Sequence, residues 1–266
     1  SARGEGGTAA VDLDWNILTL FLMITGRMTG FVVFNPLFGR RGIPNIVKAG
    51  LILTMSVCVF SMTSAQTEMP STLLGLAITF LMELLLGYVL GLVVNFFFYT
   101  PVMAGSVVDM QMGLSMASTY DPASGIQVTA TSNFLNVLMS LLFFAANGHH
   151  TMLRIFLNSG LVVPFGEVAL REDFYSAMIQ VFLDCTILGV KLCMPILGAE
   201  MLGQVGMGIL MKVIPQINVF AINIELKVIV GLVLLLMMLA PFSSFLLDAE
   251  AEMILTLRRV LPLMSG

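Results

Sequence analysis

Long apolar runs separated by short polar stretches set the pattern of this chain. Six runs can be drawn, at about residues 15–38, 46–65, 73–99, 134–146, 174–197 and 228–247. A helix needs ~20 apolar residues to cross a hydrocarbon core of ~30 Å. The first, third, fifth and sixth runs meet that length, and the second is borderline. The fourth is short unless its N-terminal flank from Val128 joins it. A seventh stretch, residues 201–214, carries Gly203, Gly206 and Gly208 ahead of Pro215 and reads as a half-helix or re-entrant piece. The pattern predicts an all-α, polytopic membrane-type protein. A polar N-terminal extension, residues 1–14, precedes a single helical domain over residues 15–266.

Residues 105–125, GSVVDMQMGLSMASTYDPASG, break the pattern between the third and fourth runs. Small polar residues, two aspartates and a proline make this stretch too polar for lipid, yet it is too apolar for a soluble loop. Irregular backbone is tolerated at membrane depth only where protein buries it or a cavity hydrates it. The stretch is therefore a candidate for the working part of the molecule.

Gly26 and Gly30 form one pair of small residues spaced by four; Gly87 and Gly91 form another, with Glu83 one turn earlier. Spacing by four keeps such residues on one helical face, where a missing side chain admits a second helix, of this chain or another subunit. Arg27, Glu83, Asp184, Lys191 and Glu200 lie within or at the ends of apolar runs. A lone charge at mid-membrane costs at least ~2.5–3.5 kcal/mol, so each should face protein or water. Arg27 and Glu83 are candidates for an interhelical pair. Asp184 and Lys191 are seven apart on one helical face, which permits compensation directly or through water. Arg40, Arg41 and Lys48 place the loop between the first two runs in the cytoplasm. Arg258 and Arg259 pull the C-terminal tail to the same side, which conflicts with six regular spans; some of the runs should not be spans.

Composition supports the membrane reading: 58% of residues are apolar and 11% charged, with mean hydropathy +0.99. These values exclude an ordinary soluble protein. A net charge of -4 with no basic stripe argues against nucleic acid as a partner. The 21 methionines are flexible fillers of irregular apolar gaps. Cys58, Cys185 and Cys193 all fall in apolar runs without metal or redox spacing. The adjacent His149 and His150 make a poor chelate. No phosphate-binding glycine loop, zinc-protease motif or nucleophile elbow is present. The expectation is a protein that is not an enzyme and takes no cofactor or metal. The N-terminus lacks a basic region feeding an apolar core, so the first helix is expected to direct insertion.

Several stretches in order carry a resemblance. They are Arg27-Met28 with Asn35-Pro36-Leu37-Phe38 and Ile43-Pro44, then Glu83 with Gly87 and Gly91, then Gln111 to Ser115 (QMGLS) followed by Asp121-Pro122-Ala123-Ser124. Asn147-Gly148-His149, Pro164 and Pro215 to Phe220 (PQINVF) complete them. From about Trp15 to Val260 the chain resembles the FliR family of flagellar biosynthetic proteins, export-gate subunits of type III secretion, and more distantly their virulence-system counterparts. Ser106-Val107-Val108 stands where that family often has a Gly-Glu pair, so no role of such a glutamate carries over.

The resemblance implies a non-enzymatic gate subunit in the bacterial inner membrane, within the flagellar basal body. It implies bent helical hairpins assembling with FliP- and FliQ-like subunits around a channel, with an FlhB-like subunit at the entrance. Unfolded flagellar proteins would pass through, and membrane lipid would surround part of the assembly. It further implies that the stretch around Met110, Gln111, Met112, Gly113, Leu114, Ser115, Met116, Asp121 and Pro122 plugs the closed channel. Apolar methionines suit a constriction that gates by dewetting. The alternative is a self-contained secondary transporter of small solutes, which would show clustered ionisable groups around broken helices and an inverted repeat. Neither is evident in the sequence.

Overall fold

A computed structural model of the protein describes residues 15–63, 72–114, 119–121, 126–213 and 219–265. The expected polar extension, residues 1–14, lies outside them. In chain order the elements are α1 (Trp15–Phe34), α2 (Asn45–Met62), α3 (Leu73–Met112), β1 (Thr119–Asp121), β2 (Ile126–Val128), α4 (Ala130–Ala145) and α5 (Gly148–Leu157). They continue with α6 (Ser159–Val162), α7 (Glu172–Val213), α8 (Val219–Met237), α9 (Leu239–Val260) and a closing 3-10 turn (Leu261–Met264). Among the described residues, α1, α2, α3 and α7 are long and apolar enough to cross a membrane. Two bent pairs raise the number to six: α4 with α5, at 70°, and α8 with α9, at 60°. The protein is an all-α polytopic membrane protein, save for the short antiparallel hairpin β1–β2.

Two helices run further than the apolar pattern indicated. α3 continues through Pro101 to Met112, so the first part of the 105–125 stretch is helix and not irregular chain. α7 continues through Pro195 and four glycines to Val213, so residues 201–213 extend a long helix and are not a separate half-helix. A glycine costs ~1 kcal/mol in a helix, but in apolar surroundings an unravelled backbone loses hydrogen bonds worth more. The fourth run does gain its N-terminal flank: α4 opens at Ala130 and α5 carries it on beyond a bend. Asn147 sits at that bend with φ 60, a left-handed conformation that asparagine tolerates.

α3 is the central helix. α1 lies parallel to it, because Gly26 faces Phe80, Gly30 faces Leu84 and Tyr88, and Gly91 faces Phe34 and Asn35. A methyl group on Gly30 would overlap the Leu84 carbonyl, and one on Gly87 would overlap the Arg27 carbonyl. The two backbones therefore touch, which suits dispersion-driven helix packing. On its other sides α3 meets α4, α7 and α9. Phe97 of α3, Phe143 of α4, Phe156 of α5 and Met253 of α9 are fully buried in the resulting core. α2 stays on the outside, with few of its residues buried.

Candidate functional site

The stretch singled out by its polarity joins α3 to α4, and its base is bolted at both ends. α3 stops at Gly113, which has φ 80 and whose N–H donates to the Asp109 and Met110 carbonyls. Glycine enters this left-handed region without steric cost, which makes it an effective helix stop. Asp109, fully buried, accepts from the Thr131 backbone N–H at 2.8 Å and from Thr131 Oγ1 at 2.5 Å. The last turn of α3 thus satisfies the first turn of α4, where free N–H groups and the helix dipole favour a carboxylate. One turn back, Ser106 Oγ and Ser132 Oγ lie 2.9 Å apart, and Ser132 Oγ donates to the Val102 carbonyl at 2.8 Å. A Cβ on Gly105 would stand 2.5 Å from Ser132 Cα, so this crossing admits only glycine without a shift of backbone. From this base the chain rises into the hairpin, where Thr119 pairs with Val128, Tyr120 with Gln127 and Asp121 with Ile126.

The residues expected to seal a channel are placed unequally. Met110 is 67% exposed, and Gln111 beside it is half-buried. Met112 points into the protein: it is fully buried, and a Cβ on Gly231 of α8 would meet its Cγ at 2.6 Å. Its thioether therefore packs α3 against α8 and offers no open surface. Gly113 is the helix stop, and Leu114 packs on the core. Asp121 lies in β1, whereas Ser115, Met116 and Pro122 lie outside the described residues. Asp109 was missed by sequence reasoning, which took both aspartates as loop polarity. Its signal was available in the Thr-Ala-Thr-Ser run at 129–132, a helix start rich in capping side chains.

A second cluster lies between α1 and α3. Arg27 and Glu83, both fully buried, meet in a forked ion pair: Nε to Oε2 at 2.6 Å and Nη2 to Oε1 at 3.1 Å. The remaining Nη1 donates to the Val163 carbonyl at 2.9 Å and to Ser159 Oγ at 3.3 Å. Glu83 Oε1 also accepts from the Gly166 N–H at 2.8 Å, and the Phe165 ring lies 4.2 Å from the guanidinium carbon. A buried pair survives desolvation only when such extra bonds complete it. The segment from Ser159 to Gly166, with Pro164 inside it, supplies them.

The charges of α7 are placed differently. Asp184 is half-buried and accepts from Gln180 of the same helix at 2.8 Å, while Lys191 is exposed. No direct ion pair joins Asp184 to Lys191 among the described residues. Glu200, only 2% exposed, keeps Oε1 without a hydrogen-bond partner among the described residues.

Comparison with known proteins places this architecture. Residues 18–253 match the family described as Bacterial export proteins, family 1. The chain is similar to the Flagellar biosynthetic protein FliR of Bacillus subtilis, 25% identical over 258 residues, covering 94% of this chain and 97% of that one. It is similar to the protein of the same name from Escherichia coli, 25% identical over 254 residues, covering 94% and 96%. The Caulobacter vibrioides protein of that name is 26% identical over 233 residues, covering 87% and 93%. With the match running from α1 into α9, through both the buried ion pair and the bolted loop, the chain belongs to the bacterial export proteins, family 1.

Proposed function

We propose that this chain is a non-enzymatic subunit of the flagellar type III protein export gate and that it forms its channel only with partners. The observation that carries this reading is α7. Its 42 residues span about 63 Å, twice a hydrocarbon core of ~30 Å. Apolar side chains stand exposed along the whole length, from Tyr175 and Ile179 through Met194 to Leu202 and Val213. Lipid covers at most half of such a face, so protein covers the rest. Gly198, Gly203, Gly206 and Gly208 have open space around them, which suits close approach by another helix. A self-contained transporter would bury this surface in its own fold.

The partners are FliP- and FliQ-like subunits, with an FlhB-like subunit at the entrance and unfolded flagellar proteins in transit, in the inner membrane at the basal body. The names of the relatives and the family support the export role. In this reading the segment between Gly113 and Thr129 is the plug, mounted on the fixed base built by Asp109 and Ser132. Met110 and Gln111 flank it, and Met112 anchors it. Coexpression of the full chain with its FliP- and FliQ-like neighbours tests the assignment. The expected result is a copurifying complex and an unstable lone chain; a stable, solute-binding monomer contradicts it. Replacing residues 115–125 with a short Gly-Ser linker is expected to leave assembly intact and raise ion conductance. Unchanged conductance removes the plug role.

A further inference from the structure

A cleft of about 570 Å³ opens where α1 ends, between the turn that follows it, the middle of α3 and the first turns of α4. Arg40, Arg41, Asn95, Asn133 and Asn136 line it together with Asn35, whose side chain is engaged by the Leu37 and Phe38 N–H groups and by Met152 Sδ, and among the described residues no Asp or Glu does. Two cationic forks and four side-chain amides without a counter-charge are an unusual lining in so apolar a molecule. Arg40 is held in place: Nε donates to the Pro36 carbonyl at 3.0 Å and Nη2 to Ser140 Oγ at 3.2 Å. Lys48 Nζ donates to the Gly39 carbonyl at 2.9 Å and fixes the same turn from α2. The mouth of the cleft is apolar instead, with exposed Val33, Phe34, Tyr99 and Val137.

Its depth along the molecule follows from the parallel alignment of α1 and α3. Phe34 lies beside Gly91, so Asn95, one turn further along α3, is level with the turn at 35–41. From Trp15 to Phe34 is about 30 Å, and from Leu73 to Val94 about 33 Å, at 1.5 Å per residue. The cleft therefore lies about one hydrocarbon thickness from the opposite helix ends, which is headgroup level when the membrane covers α1 and the first half of α3. Basic pockets between membrane helices at this level bind anionic headgroups, and guanidinium groups pair with phosphate through two parallel hydrogen bonds.

We propose that this cleft binds an anionic phospholipid. Its phosphate is held by Arg40 and Arg41, its glycerol and headgroup oxygens by the amides of Asn95, Asn133 and Asn136, and its acyl chains run out along Phe34, Tyr99 and Val137. The proposal rests on the membrane-spanning character of the chain and is independent of the export-gate reading. Arg41 is the exposed, adaptable contact, whereas Arg40 is preorganised by its bonds to Pro36 and Ser140.

The test is lipid binding by the full chain in non-ionic detergent, read by native mass spectrometry during titration with phosphatidylglycerol, phosphatidylcholine or inorganic phosphate. One phosphatidylglycerol per chain is expected, bound at least about tenfold more tightly than phosphatidylcholine, because each cation near an anionic headgroup contributes roughly a fivefold factor. R41Q is expected to weaken phosphatidylglycerol about fivefold, and R40Q with R41Q about 25-fold, on the same basis. Val137→Trp, which fills the exposed mouth without touching a charge, is expected to abolish binding and keeps the test independent of the turn that Arg40 holds. Equal binding of the two lipids, or unchanged affinity in R41Q and Val137→Trp, overturns the proposal. Displacement of the lipid by equimolar inorganic phosphate overturns the lipid assignment in favour of a free-anion site.

Discussion

α1 and α7 are both long apolar helices that carry charges, and they treat those charges in opposite ways. Arg27 of α1 is wholly buried and has all its directions filled, by Glu83, Val163, Ser159 and the Phe165 ring. On α7, Asp184 has only a neighbour on its own helix, Lys191 is exposed, and Glu200 is buried with an oxygen unpartnered. The apolar surfaces follow suit: in an apolar 18-residue window of each helix, 56% of α1 is buried, against 33% of α7. The α1–α3 contact completes its charges within one chain and is its scaffold. The α7 face is open, with its apolar surface and the exposed Lys191 left for other molecules to complete.

That contrast can be broken at graded cost. Glu83→Ala should do most harm, since it leaves a buried guanidinium uncompensated at a cost of about 3–5 kcal/mol. Thermal unfolding in detergent reads the loss; wild-type stability would show that the scaffold does not depend on the pair. Gly87→Leu should follow at roughly 3 kcal/mol, because its side chain meets the backbone of Arg27 and Phe31. Its signature is a lower complex yield together with a less stable lone chain. Asp109→Ala should cost about 1–2 kcal/mol by stripping the α4 cap, detected as faster proteolysis between α3 and α4. Gly113→Ala should cost about 1–2 kcal/mol through its left-handed φ alone. Ile179→Ser on the open face should change the lone chain by no more than about 0.5 kcal/mol, yet reduce recovery of the complex. An equal loss in chain and complex would erase the distinction between the two halves.

Much of this fold can be read from apolar run length. The starts of α1, α2, α3 and α7 follow the runs closely, since a hydrophobic stretch leaves its backbone few choices but a helix. The ends were harder to read. Pro101 and the glycines between Gly198 and Gly208 resemble stops, but each lies in a helix that continues because apolar surroundings make unravelling costlier than a poor helix former. The spacing of Gly26 with Gly30 and Gly87 with Gly91 is visible in the sequence. That all four lie in one α1–α3 contact depends on the two helices lying parallel, which spacing does not specify. The closure of the Arg27–Glu83 pair by Val163 and Gly166 is a contact across about 80 to 140 residues, beyond any local pattern. Asp109 illustrates the opposite case. Its cap is signalled by Thr129 to Ser132, but a buried carboxylate near the end of an apolar helix reads as loop until its partner is located.

Site-specific photo-crosslinking along the open face of α7, in membranes that contain the FliP- and FliQ-like neighbours, reports what covers that face. A crosslinker at Ile179 and another at Leu202 lie about 35 Å apart along the helix, further than one hydrocarbon core of ~30 Å reaches. Discrete protein adducts are expected from at least one of the two positions, at a defined mass shift. Lipid adducts from both, with no protein adduct from either, would contradict a subunit whose surface is completed by its partners.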